Sequence, residues 1–237
     1  MTFEQILLNE PAKLVDEAFA QLTGTLKSVW KETRGKKSVV AGHMDQMAKR
    51  LDEVYAIHPE FARDGMSVCG HRIPSLDRML RKAKTLENKV KPPFSVYIHG
   101  DFNVDNIIYD PAEKRINFID LHRSRHMDYV QDVSVFMVSN YRLQIMDKQL
   151  RRRILALARD FHAFAAKFAG KAGDDTFEFR LALGLARSFA TSTRFILDKS
   201  MARAMYLRAR YLIERAVETD PAGAAGFKLP IEEIFCD

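Results

Sequence analysis

Apolar residues recur three and four positions apart along most of this chain, and that spacing predicts helices. After Pro11, placed as a first-turn proline, Leu14, Val15, Ala18, Phe19 and Leu22 form one such stripe that runs to Gly24. A second helix follows with Leu26, Val29 and Trp30 on one face, and the basic cluster Arg34, Lys36 and Lys37 around Gly35 ends it as a solvated turn. Residues 41–58 predict a further helix bearing Met44, Met47, Leu51, Val54 and Tyr55, stopped by Pro59. An irregular connection over 60–74, punctuated by Gly65, Gly70 and Pro74, leads to a basic helix capped by Ser75 and running to Asn88, with Pro92 and Pro93 beyond it. Towards the other end, helices are expected over 148–167, 177–197 and 202–219.

Between these helical parts the period changes to two. Residues 96–99, 106–109 and 115–120 read as short strands, with Asp110 and Pro111 opening the turn between the last two. Gly100 lets the backbone bend, which sets Asp101 and Asn106 at the two ends of a loop, and Asp120 closes the third strand where it can face them. A basic loop over 121–127 then leads to Asp128, which with Gln131 has the form of a helix N-cap and its reciprocal partner. The helix it starts carries Val133, Phe136, Met137 and Tyr141 on one face. The expected fold is mainly α with a small β-hairpin, in one domain over 1–237: a helical part to 93, the loop and hairpin over 94–120, and a second helical part from 121.

Composition narrows the class. With 237 residues and 47% hydrophobic content the chain can bury a sizeable core. Its longest apolar runs fall well short of the roughly 20 residues a bilayer span needs, and the first residues lack a signal-peptide pattern, so a cytoplasmic protein is expected. Cys69 and Cys236 are the only cysteines and lack metal-ligand spacing; Cys69 and His71 have no further ligands nearby. A net charge of +6 favours anionic ligands in general, but the excess lies on helices of mixed sign and does not argue for nucleic acid.

The chemistry concentrates in one stretch. An acid at Asp101, an amide five positions on at Asn106, and a second acid at Asp120 are the parts a phosphoryl transfer needs. One carboxylate orients the accepting hydroxyl, and oxygen ligands hold the magnesium that bridges nucleotide phosphates. HGDFNVDNIIYD followed by INFID resembles the corresponding segment of the aminoglycoside phosphotransferase and choline kinase superfamily, whose loop reads HGDxxxxN. The resemblance covers about residues 96–132, and the helices on either side suit the C-terminal lobe of that protein-kinase-like fold. It implies that Asp101 is the catalytic base, that Asn106 and Asp120 are magnesium ligands, and that His99 holds the loop in shape. It implies also that Asp132 braces the loop from the following helix, with Asp128 matching the aspartate before it. ATP or another nucleoside triphosphate would be the donor and a small-molecule hydroxyl the acceptor.

Two departures from the superfamily pattern matter. IDLHRSR has a Leu-His-Arg run where an aromatic residue and an acid are usual, which is similar to lipopolysaccharide core kinases. His122, Arg123 and Arg125 thus become candidate contacts to an acceptor or phosphate, and favour a sugar or anionic acceptor over a polycation; alternatively the two arginines only balance nearby acids. The residues before His99 also lack the glycine-rich strand-turn-strand and strand lysine of an N-terminal β lobe. The expectation is a lobe that works with one carried upstream or on another chain, or a free-standing lobe of reduced activity. Two other readings stay open: a non-catalytic kinase-like interaction module, and a metal-dependent phosphohydrolase using His99, Asp101, Asp120 and His122.

Overall fold

Most of the long helices bury one stripe of side chains and leave the remainder to solvent, as the spacing of their apolar residues requires, while two are buried at nearly every position. A computed structural model describes residues 1–62, 67–68, 71–72 and 74–236, with backbone alone at 67–68 and 71–72. In chain order the elements are helices α1 (Phe3–Asn9), α2 (Ala12–Glu32), α3 (His43–Ala48) and α4 (Leu51–Ile57), the strand pair β1 (Ser67–Val68) and β2 (His71–Arg72), and α5 (Leu76–Lys89). Then come β3 (Val96–Ile98), β4 (Ile107–Asp110), β5 (Arg115–Phe118) and β6 (Arg125–Met127). The chain closes with α6 (Val130–Tyr141), α7 (Lys148–Ala172), α8 (Phe177–Ser192), α9 (Lys199–Val217) and α10 (Ile231–Ile234). The protein is therefore mainly helical, and among the described residues every sheet is a two-stranded antiparallel ladder.

The chain forms two compact units, one of residues 1–39, 92–174 and 230–237, the other of 40–91 and 175–229. In the first, α2 buries Val15, Ala18, Leu22, Leu26 and Trp30. Trp30 packs among Tyr129, Phe164 and Phe168. Helix α6 lies at the centre of this unit with all twelve residues buried, so its polar members turn inward on the backbone: Ser139 and Asn140 both donate to the Phe136 carbonyl. The hairpin of β4 and β5 is tied to α2 by the Tyr109 hydroxyl, which donates to Glu17; burial, then that bond, pushes the phenol up to about 12. In the second unit α8 packs on α9 and α3, and α5 packs on α9. Its interior holds a cluster of charge, with the Glu87 carboxylate accepting from the backbone amides of His43 and Met44 at 2.6 and 3.1 Å.

Several elements differ from the pattern-based expectation. Gly24 does not end a helix; α2 runs through it, because one glycine costs only about 1 kcal/mol against a continuous buried stripe. The segment 41–58 is two helices, broken at Lys49 and Arg50, and α8 gives way to a 3-10 turn at Thr193–Phe195. Pro11 precedes α2 with extended backbone and is not its first residue. The basic turn is only partly solvated: Gly35 bridges Ser95, and the Arg34 guanidinium stacks 4.1 Å over Phe94 while donating to the Ala172 carbonyl. Ser75 caps α5 as its sequence suggests, accepting from the Arg78 amide. Gly65, Cys69 and Gly70 fall outside the described residues.

Candidate functional site

The loop over 99–106 is anchored from beneath by alternate residues. Phe102 and Val104 are buried, Phe102 against the rings of His99, Phe118 and Phe136, so Asp101, Asn103 and Asn106 are left on the accessible side. The sequence HGDFN carries this alternation openly, yet Phe102 escapes a motif-based reading because it takes no part in the chemistry. Gly100 has φ +85, and a Cβ there would sit 2.5 Å from the Arg123 carbonyl oxygen. Glycine is thus required twice over, by backbone conformation and by the approach of the turn after Asp120.

That turn is the main difference between expectation and structure. Residues 121–127 are not a basic loop: Leu121–Arg123 is a 3-10 turn, and Arg125–Met127 returns as β6 to pair antiparallel with β3, Ile98 opposite Arg125. The Ser124 hydroxyl donates to the His99 carbonyl at 3.1 Å, which closes the turn over the loop.

Asp132 and His99 fix the loop's backbone. Asp132 is buried in the first turn of α6, and its carboxylate accepts from the amides of His99 at 2.7 Å and Gly100 at 2.8 Å. The two ring nitrogens of His99 meet the Ile119 carbonyl at 2.8 Å and the Asp101 amide at 3.3 Å, so Nε2 carries the proton and Nδ1 accepts. With both nitrogens engaged, His99 is not placed to ligate a metal. Asp128 is buried and accepts from the Val130 amide at 3.1 Å. The cap position of α6 falls to Tyr129, one residue after Asp128, and Gln131 Nε2 reaches the Gly100 carbonyl at 3.5 Å.

The three chemical positions are brought together. Asn106 donates its Nδ2 to the Asp101 carbonyl at 2.9 Å, which leaves its Oδ1 as the free oxygen end of the amide. The Ile119 amide donates to the Asn106 carbonyl at 3.1 Å, continuing the hairpin ladder by one residue pair, and Asp120 is the next residue of that strand. Asp120 is in the left-handed region, φ 60 and ψ 51, an uncommon conformation for a residue with a side chain, and its carboxylate is half exposed. Asp101 is held by Asn103, whose Nδ2 donates to Oδ1 at 2.8 Å, and by Arg123 at 3.0 Å from Oδ2. Arg123 Nε also donates to His122 Nε2 at 3.2 Å, and His122 Nδ1 meets Asp120 Oδ1 at 2.6 Å. The two acids are therefore joined through alternating side chains, Asp101 to Arg123 to His122 to Asp120. Asn103 was not singled out by sequence; its signal is a polar residue between two buried ones. Arg125 stands apart from this chain of contacts, its guanidinium 4.0 Å from Met127 Sδ, and Asp105 is exposed.

For a magnesium ion, the Asn106 amide oxygen and the Asp120 carboxylate are two hard oxygen donors carried at the base of one hairpin, and the ion characteristically keeps several waters. The donor set fits. Among the described residues no three His, Cys, Asp or Glu side chains converge as a metal cluster.

A loop carrying an acid and an amide five residues apart, a hairpin delivering a second acid beside them, and surrounding helices define a protein-kinase-like fold of the aminoglycoside phosphotransferase and choline kinase type. The chain belongs to the ecdysteroid kinase-like family, whose profile matches residues 10–167. No curated protein matches the sequence. Among solved structures, a glucosamine kinase in complex with glucosamine, ADP and inorganic phosphate is 16% identical, with a TM-score of 0.46 over 90% of this chain and 56% of its own. An ethanolamine kinase of Plasmodium vivax is 12% identical, with a TM-score of 0.41 over 91% of this chain and 61% of its own. The chain thus spans little more than half the length of the structures it matches. No helix among the described residues is long and apolar enough to cross a membrane.

Proposed function

We propose that this chain carries the acceptor and metal side of a small-molecule phosphotransferase, moving the γ-phosphoryl group of ATP, or another nucleoside triphosphate, to a hydroxyl. The observation that carries this reading is the position of Asp101, hung between Asn103 and Arg123, with the Asn106 amide bonded to its backbone carbonyl and Asp120 joined to it through Arg123 and His122. Asp101 orients the hydroxyl and takes its proton late in a loose transition state, so it needs no strongly raised basicity. Asn106 and Asp120 hold magnesium, which when bound neutralises charge on the phosphates. His99, Asp132 and Asp128 keep the loop backbone in place. His122 and Arg123 supply positive or donor groups at the mouth of the site, with Arg125 on the neighbouring strand, which suits a sugar or an anionic acceptor. In this reading the phosphate-covering loop and strand lysine come from a separate lobe, upstream or on another chain.

The test is calorimetric titration of nucleotide, with and without magnesium, into the chain and its Asp120→Ala variant. Magnesium is expected to tighten binding in the wild type by about tenfold or more, and to do nothing in the variant. Equal magnesium dependence in both would refute the role of Asp120. With an accepted hydroxyl substrate, Asp101→Asn should lower kcat by about 10²- to 10⁴-fold with little change in KM.

A further inference from the structure

A second concave feature lies in the first compact unit and shares no residue with the site above. Helices α2 and α7 face each other across a groove of about 890 Å³. Its lining recurs at helical spacing on both walls: Ala20, Gly24, Lys27 and Lys31 on α2, and Phe164, Phe168 and Lys171 on α7. The half-buried rings of Phe164 and Phe168 give it an apolar floor. Lys27, Lys31, Lys167 and Lys171 are all exposed around it, while Glu32 is the single acid in the lining. Arg34 adds a fifth cation, already occupied with Phe94 and Ala172.

Gly24 sharpens the picture. A glycine inside a 21-residue helix is destabilising by about 1 kcal/mol relative to alanine, and here no steric need compensates, since a Cβ would meet nothing within 4 Å. What the missing side chain does leave is room in the groove. The volume lies in the range that small-molecule pockets occupy, about 300–1,000 Å³. A helix about 10 Å across would fill it in about two turns, too short for a docked amphipathic helix.

We propose that this groove binds a small anionic amphiphile, its apolar body on Phe164 and Phe168 beside Gly24 and its carboxylate or phosphate head among the four lysines. Charge complementarity selects the head, because four free cations face one carboxylate. The aromatic floor selects the body, because an anion without apolar surface would remain hydrated at the exposed rim.

Trp30 makes the proposal measurable. It is the only tryptophan, it is fully buried, and its ring centroid lies 5.7 Å from Phe164 and 5.1 Å from Phe168. Decanoate and decyl phosphate, kept below their micelle-forming concentrations, would be titrated into the full chain while tryptophan emission is followed, with decanol and decyltrimethylammonium as neutral and cationic counterparts. At least one anion should give a saturable one-to-one change that weakens with added salt, and the counterparts should bind about tenfold less tightly or not at all. Gly24→Leu should abolish the change while leaving the melting temperature equal or higher, and Lys31→Glu with Lys171→Glu should weaken it by about tenfold or more. Decanol binding as tightly as decanoate, unchanged affinity in both variants, a change seen only with micelles, or no change with either anion would each overturn the proposal. Should Gly24→Leu fail to fold, the double lysine variant decides it.

Discussion

The Asp132 carboxylate offers the sharpest quantitative test of how the loop over 99–106 is held. Replacing it with asparagine keeps the shape but leaves one oxygen in place of two, so either the His99 or the Gly100 amide faces an NH2 group in place of an acceptor. Hydrogen bonds to a charged acceptor contribute about 1.5–3 kcal/mol each, and Asp132 is 1% exposed, so water does not readily replace the lost partner. Local opening of the loop should therefore become easier by about 1.5–3 kcal/mol, which is about a 10- to 150-fold rise in exchange rate. Amide hydrogen exchange reads this directly: the His99 and Gly100 amides should exchange faster by that factor, while the Phe136 amide inside α6 should keep its protection. Asp132→Ala removes both acceptors and should about double the free-energy cost. If both loop amides in Asp132→Asn exchange as in the wild type, the carboxylate is not what holds them, and the loop's order must come from Phe102 and Val104 beneath it.

Two further outcomes follow from other contacts. Gly100→Ala adds about 1–2 kcal/mol of left-handed backbone strain and sets a methyl group against the Arg123 carbonyl, so thermal denaturation should show a destabilisation of at least about that size; an unchanged melting temperature would mean that the turn is free to move away. His43 is fully buried with neither ring nitrogen hydrogen-bonded, and burial, then Arg187 and Arg180, hold its pKa well below the usual histidine range. Since an unfolded histidine titrates near about 6.5, the unfolded chain gains a proton there that the folded one refuses. Stability is then fully present above that pH and falls on acidification by about 1.4 kcal/mol per unit until the depressed pKa is passed. Urea unfolding between pH 7 and pH 5 should show this slope, and His43→Leu should flatten it by that amount; equal slopes in the two proteins would mean that His43 accepts a proton in the folded state.

Much of the helical architecture is written locally, and what is local was legible. Ser75 followed by an amphipathic run gives α5, and the apolar stripe of α2 is plain from Val15 to Trp30. The spacing of Asp101, Asn106 and Asp120 is equally visible, because loop and hairpin are close in sequence. The failures fall where a distant partner decides. Residues 121–127 read as a basic loop because nothing in Arg125 or His126 announces that β3, nearly thirty residues earlier, is waiting to pair with them. Gly24 reads as a stop because propensity is local and the buried face that overrides it is not. Asp128 reads as the N-cap of α6 by spacing, yet the cap position falls one residue later, at Tyr129. In the same way the contacts from Asp101 through Arg123 and His122 to Asp120 exist only once the 3-10 turn is seated.

The seat of that turn on Gly100 separates two kinds of heritable freedom. The path of the backbone from 121 to 127 is committed, pinned by the Arg123 carbonyl against Gly100 and by the ladder of β3 and β6. The side chains of Leu121, His122, Arg123 and Arg125 nonetheless stand exposed along it. Leu121 and Arg125 can therefore be exchanged without redrawing the loop that holds Asp101, whereas His122 and Arg123 are tied to Asp120 and Asp101 themselves. Under the proposed function, the groups offered to an acceptor at Leu121 and Arg125 and the geometry around Asp101 are stored in different parts of one short segment, and can drift at different rates.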